Sequence, residues 1–143
     1  NICLILVFGF ISFTSIKIGE VAIDIKITNA VSQSFAQEIS NRISEYEKES
    51  GINITKVGFC TDQYISYKFY EFIHTEAYAD ICRNPFTVSW SSVTSLNYYS
   101  GRQFMPVEVP ENIINYYQDQ NWDAADWDEQ LYFDQDTVYI CAF

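Results

Sequence analysis

Asn1-Ile-Cys-Leu-Ile-Leu-Val-Phe-Gly-Phe-Ile-Ser-Phe-Thr-Ser-Ile16 carries no charged side chain, and as a helix rising about 1.5 Å per residue it spans about 24 Å. The hydrocarbon core of a bilayer asks for about 20 apolar residues. The run falls a few residues short of that, as a membrane span truncated at its start would. The first residue is Asn rather than Met, so the chain is expected to be a processed product or a piece of something longer. Residues 1–18 are therefore assigned to a truncated transmembrane anchor and 19–143 to a small acidic domain. A signal peptide is one alternative, but the run has no basic n-region before it and no small-x-small cleavage site after it. A core strand or helix of a soluble protein is the other. The readings part over Leu4, Leu6, Phe8 and Phe10, which face lipid in the first and sit inside a globule in the last.

Downstream of the apolar run, Ile27, Val31, Phe35, Ile39, Ile43 and Tyr46 recur at steps of four or three. That spacing lays one apolar stripe along a helix from Gly19 to Ser50. Gly51 supplies its stop. The stripe covers too few heptads for a coiled-coil seam and predicts packing on a sheet. Ile52 to Cys60, short and β-branched, reads as the first strand. Thr61 to Phe86 fits a helix through Ile65, Phe69, Phe72 and Ile73, and a strand through Ile65, Tyr67, Phe69 and Ile73, so both stay open. Ser89 can cap a helix from Trp90 to about Tyr99, with Val93, Leu96 and Tyr99 on one face and Gly101 past its end. An extended piece, Phe104 to Val109, leads to Pro110, a suitable first residue for a helix through about Gln118. Leu131 to Phe133 and Thr137 to Phe143, around Asp134, Gln135 and Asp136, predict a hairpin with a three-residue loop and a buried last strand. The expected fold class is α/β: an anchor helix continuing into an amphipathic helix, then two or three layers around a short mixed sheet ending in a C-terminal β-hairpin.

Eight Lys and Arg stand against nineteen Asp and Glu, and no basic residue follows Arg102. Such a field repels phosphate backbones, which disfavours nucleic acid as a partner, and its plain meaning is a solvated face. At 48% apolar and 17% aromatic residues, the chain can bury enough surface to offset the entropy of ordering. The four cysteines form no Cys-x-x-Cys pair and there is a single His, so a structural zinc site lacks ligands at the usual spacing. Cys3 falls in the apolar run and Cys141 in a core strand, which leaves Cys60 and Cys82 as the pair most able to bridge in an oxidising compartment.

No reactive constellation emerges. Asp126-Trp-Asp128 and Asp134-Gln-Asp136 have the Asp-x-Asp form that presents hard oxygen ligands to a divalent cation. Pairs two apart are frequent by chance in so acidic a tail, and no Gly-rich phosphate loop accompanies them. An EF-hand fails because Asn121 to Gln130 lacks the glycine of its turn. His74 beside Glu71 and Glu76 has the elements of a general base, but its plain reading is a lone surface histidine. Ser89, Ser91 and Ser92 lack the nucleophile-elbow motif, and Cys60 or Cys82 would have to recruit His74. No catalytic, cofactor-binding or metal-ligating residue is assigned, and no cofactor is expected. Asn53-Ile-Thr55 matches a glycosylation sequon, read here as chance. Trp90, Trp122 and Trp127 with eleven Tyr are suited to stacking on sugar rings, and equally to core and juxtamembrane contacts.

Three segments carry a resemblance: Ile39-Ser-Asn-Arg-Ile-Ser-Glu-Tyr-Glu47 running into Ile54-Thr-Lys-Val-Gly-Phe59; Ser89-Trp-Ser-Ser-Val-Thr-Ser-Leu-Asn-Tyr-Tyr-Ser-Gly-Arg-Gln-Phe104; and Asp128-Glu-Gln-Leu-Tyr-Phe-Asp-Gln-Asp-Thr-Val-Tyr-Ile-Cys141. Together they resemble the C-terminal tail of the bacterial multi-spanning glucosyltransferases that decorate surface polysaccharides of the O-antigen type, over roughly Gln37 to the end. The resemblance implies an inverting transfer of glucose from a polyprenyl-phosphate donor to a surface glycan, by a bundle of membrane helices in the bacterial cell membrane that ends in a small extracytoplasmic domain. It places the catalytic acids near the first membrane helices, outside this chain, and so none is carried over. The partners it implies are the membrane helices of the parent chain and an acceptor glycan, for which Trp90, Tyr98, Tyr99 and Arg102 are candidate contacts. Asn97, Tyr98, Gly101 and Arg102 match its most recognisable stretch, and all four have plain structural readings. The rival is a membrane-tethered extracytoplasmic interaction module with no enzyme attached. A third reading, an independent soluble enzyme, needs a cleft joining His74 to a cysteine or to the Asp pairs.

Overall fold

The computed structural model describes residues 2–60, 85–86, 89–118 and 127–141. Its first element is one unbroken helix, α1 (Ile2–Ser50), which at about 1.5 Å per residue is on the order of 75 Å long. No proline interrupts it, and Gly51, at φ +73, ends it in the left-handed region with its N–H on the Glu47 carbonyl at 3.0 Å. The expected stripe is in place: Phe35, Ile39 and Ile43 are fully buried, and Val31 and Tyr46 pack against them. The first half of α1 differs. Leu4, Leu6, Phe8 and Phe10 are 59–71% exposed, so they are not tucked inside the globule, and the soluble-core reading of this run does not hold.

β1 (Lys56–Cys60) follows, then α2 (Ser89–Ser100), β2 (Met105–Pro106), α3 (Glu111–Gln118), α4 (Trp127–Gln130), β3 (Leu131–Asp134) and β4 (Thr137–Cys141). The sheet order is β2-β1-β4-β3. β1 pairs in parallel with both β2 and β4, and β3 closes an antiparallel hairpin on β4. Val57, Phe59, Val138 and Ile140 pack under α1 and α2, together with Val93 and Leu96. On the opposite face Cys60, Tyr139 and Cys141 meet Ile113 and Tyr117 of α3. Helices therefore cover both faces of a mixed four-stranded sheet, as the expected α/β class requires.

Several boundaries differ from the sequence reading. The first strand begins at Lys56, not Ile52, because the backbone before it is used otherwise: Ile54 N–H donates to Glu47 Oε1 at 2.9 Å and Thr55 N–H to the Asp136 carbonyl at 2.9 Å. The hairpin loop has two residues rather than three, since Asp134 pairs with Thr137 and Gln135 takes φ +52, a left-handed turn whose twist matches paired strands. β4 is buried along its whole length, as expected. Pro110 starts α3 by accepting from the N–H groups of Ile113 and Ile114. Gly58 serves a different purpose: a Cβ there would stand 2.8 Å from Tyr139 Cδ1 and 3.1 Å from Val109 Cγ2, so its missing side chain is the space in which the Tyr139 ring lies. The undecided stretch 61–84 lies outside the described residues.

Candidate functional site

Of the four candidate glycan contacts, two face solvent and two are built into the packing. Trp90 and Tyr98 on α2 are 81% and 80% exposed. Eight residues apart, they are separated by about 12 Å along the helix axis. Tyr98 meets Tyr99 edge-on, with centroids 5.1 Å apart. Tyr99 turns inward, where burial raises its phenol above the ordinary range, the neighbouring Tyr98 adds to this, and a hydrogen bond to the Ser32 side chain opposes it. Arg102 is committed to α1. Its Nη1 lies 3.1 Å from Glu47 Oε1, and its Nη2 lies 2.9 Å from Oε2 and 2.8 Å from Ser44 Oγ. Its guanidinium also sits 5.5 Å from the centroid of the Phe104 ring. The α2 stretch thus offers separate aromatic rings to solvent and ties its C-terminal end to α1.

The Glu47 carboxyl sets that junction. Partial burial works to raise it, but the hydrogen bonds from Arg102 and the Ile54 N–H, with the guanidinium charge, outweigh burial and hold it below the usual carboxylate value. Asn97 completes the corner by donating to the Phe104 carbonyl at 3.0 Å and accepting from the Phe104 N–H at 2.8 Å. A second knot ties the strand starts together: Asp136 accepts from Thr55 Oγ1 at 3.0 Å and pairs with Lys56 Nζ at 2.9 Å. Hydrogen bonds from Lys56 and Thr55 hold the Asp136 carboxyl below its usual range.

The remaining chemical candidates disperse. Asp128 is exposed and pairs with Arg42 at 2.7 Å, Asp136 is bound by Lys56, and Asp126 and His74 lie outside the described residues. Among the described residues no three His, Cys, Asp or Glu side chains gather as a metal site would need. Ser91 and Ser92 donate to the carbonyls of Pro85 and Phe86 at 2.7 and 3.1 Å, which fastens that turn to α2. Cys60 is a buried free thiol, pushed up to about 12 by burial, a position suited to packing rather than to nucleophilic attack. Cys82, its expected partner, lies outside the described residues, while Cys141 stands in register with Cys60 on the neighbouring strand.

Apolar patterning missed one feature. Asp24, Thr28 and Ser32 are buried on α1, and Thr28 Oγ1 donates back to the Asp24 carbonyl at 2.8 Å. They extend the core stripe backward at steps of four, and that periodicity was the available signal, hidden because the residues are polar.

No family model matches the chain, and neither a curated protein nor a solved structure shows significant similarity to it.

Proposed function

We propose that this chain is a membrane-anchored, non-catalytic α/β domain, the C-terminal extracytoplasmic accessory domain of an integral-membrane glucosyltransferase. The observation that carries the anchor is the exposed half of α1. Twelve large apolar side chains from Ile2 to Ile23 stand in solvent, and leaving them there costs on the order of 15–20 kcal/mol. That exceeds the about 5–15 kcal/mol by which whole domains are stable. α1 is long and apolar enough to cross a membrane by length and composition, and Ile2 to Ile18 spans about 25 Å against a hydrocarbon core of about 30 Å. The glucosyltransferase assignment is supported by the likeness of the three segments quoted above.

Flotation with phosphatidylcholine vesicles tests the anchor. The full chain should rise with the lipid and resist alkaline carbonate, while a chain with Leu6, Phe8, Phe10 and Ile11 replaced by Ser should stay in the aqueous layer. A full chain that is monodisperse without lipid or detergent would remove the anchor. The glucosyltransferase part requires that the coding sequence upstream of Asn1 add eight or more hydrophobic spans. A lone span would instead favour the tethered interaction module, to which the outward Trp90 and Tyr98 also lend themselves. An unchanged tryptophan fluorescence at millimolar oligosaccharide would count against glycan contact.

A further inference from the structure

The direction of the sheet relative to α1 follows from three contacts. At the start of β1, Ile54 N–H bonds Glu47 in the last turns of α1. At its end, Phe59 packs on Phe86 with centroids 5.9 Å apart, and Phe86 packs on Phe35 at 4.7 Å. Glu47 to Phe35 is about 18 Å back along the helix, and Ile54 to Phe59 is about 16.5 Å along an extended chain. The two lengths agree, so β1 runs antiparallel to α1, back toward its apolar half. β4 lies parallel to β1 in register from Lys56↔Thr137 to Cys60↔Cys141, and its carboxyl end points the same way.

Nothing loosens the connection between these halves. The helix is continuous through residues 19–23, and the buried face already begins at Asp24, about 9 Å beyond Ile18. A flexible linker is absent from the described residues, and height and rotation of the sheet are both fixed by helix geometry.

We propose that α1 is a rigid strut that holds the carboxyl ends of β1 and β4 facing a phospholipid surface at a set distance. This rests on the anchor reading above. With Ile18 at the edge of the hydrocarbon, the level of Ser32, which the Tyr99 side chain contacts, lies about 21 Å out, and that of Glu47 lies about 44 Å out. In open α/β sheets ligands are met at the carboxyl ends of the strands. Here that end is the membrane-facing one, and the Gln135 turn marks the far side.

A depth measurement tests this on the full chain in phosphatidylcholine vesicles carrying headgroup nitroxides, with a fluorescent noncanonical amino acid at Ile23, Tyr98 or Gln135. Quenching should be strongest at Ile23, intermediate at Tyr98 and at background at Gln135. Inserting seven helix-forming residues after Val21 lifts the domain by about 10.5 Å with a net rotation of only about 20°, and should bring Tyr98 to background. A Gly-Ser insert of equal length should instead make Tyr98 and Gln135 alike. A chain that fails to float with the vesicles overturns the anchor and this orientation with it. A chain that floats but shows equal or reversed quenching at Tyr98 and Gln135, or no response to the helical insert, overturns the orientation alone.

Discussion

Replacing Gly58 by alanine adds one methyl group where β1 and β4 lie side by side, and the structure says what it meets. The new Cβ stands 2.8 Å from Tyr139 Cδ1, 3.2 Å from Cε1 and 3.1 Å from Val109 Cγ2. Gly58 is paired directly with Tyr139, whose ring also packs on Tyr132 at 6.4 Å, so the ring has little room to withdraw. Forcing a methyl group into a packed site costs about 1–3 kcal/mol. Against this, alanine narrows the unfolded ensemble and returns about 0.4–1 kcal/mol. The net expectation is a loss of about 1–2 kcal/mol. With a urea slope of about 1–3 kcal/mol per molar, the midpoint should fall by on the order of 1 M at unchanged slope. The assay is urea unfolding of the detergent-solubilised full chain, followed by circular dichroism. A second variant isolates the cause: in a Tyr139→Leu background the same Gly58→Ala change should lose most of its penalty, because the clashing ring atoms are gone. Gly58→Ala as stable as the parent chain, or equally harmful with and without the Tyr139 ring, would show that the ring does not need the space at Gly58.

Other substitutions probe the remaining junctions. Ile39→Ala, at a fully buried position of α1, should cost about 2–5 kcal/mol in the same unfolding assay. Glu47 has its folded pKa lowered, so its contribution is fully present above the ordinary carboxylate pKa and is lost as pH falls through the folded value. Glu47→Gln should therefore flatten the acid limb of a stability-against-pH curve and lower the plateau, and an unchanged limb would show that Arg102 and Ile54 do not hold the carboxylate. The Cys60 thiol, buried and raised to about 12, should resist iodoacetamide at about pH 8 in the native chain and react once guanidinium unfolds it, as read by peptide mass mapping. Gln135→Gly, at φ +52, should raise stability by up to about 1 kcal/mol by removing the left-handed cost of a side chain.

Elements whose signal is local are legible in the residues alone. The uncharged run from Asn1 and the four-three stripe from Ile27 to Tyr46 describe one helix, since neighbours three and four apart share a face. Gly51 and Gly101 marked the helix ends, and the β-branched close of the chain marked a buried strand. What the residues contact across the fold was decided only in three dimensions. Arg102 reads as an available cation until Glu47, 55 positions earlier, is found to hold it. Tyr99 shares a face with Val93 and Leu96 in the sequence and is also a candidate glycan contact, and the fold decides for the first by turning it toward Ser32. Ile54 and Thr55 read as strand until Glu47 and Asp136 take their backbone hydrogens. The apolar stripe leaves out Asp24, Thr28 and Ser32, whose polarity usually means exposure, yet the fold buries them. The reason is physical: periodicity fixes which side chains share a face, whereas the partner that face meets depends on strand register and chain direction, which belong to no window of sequence.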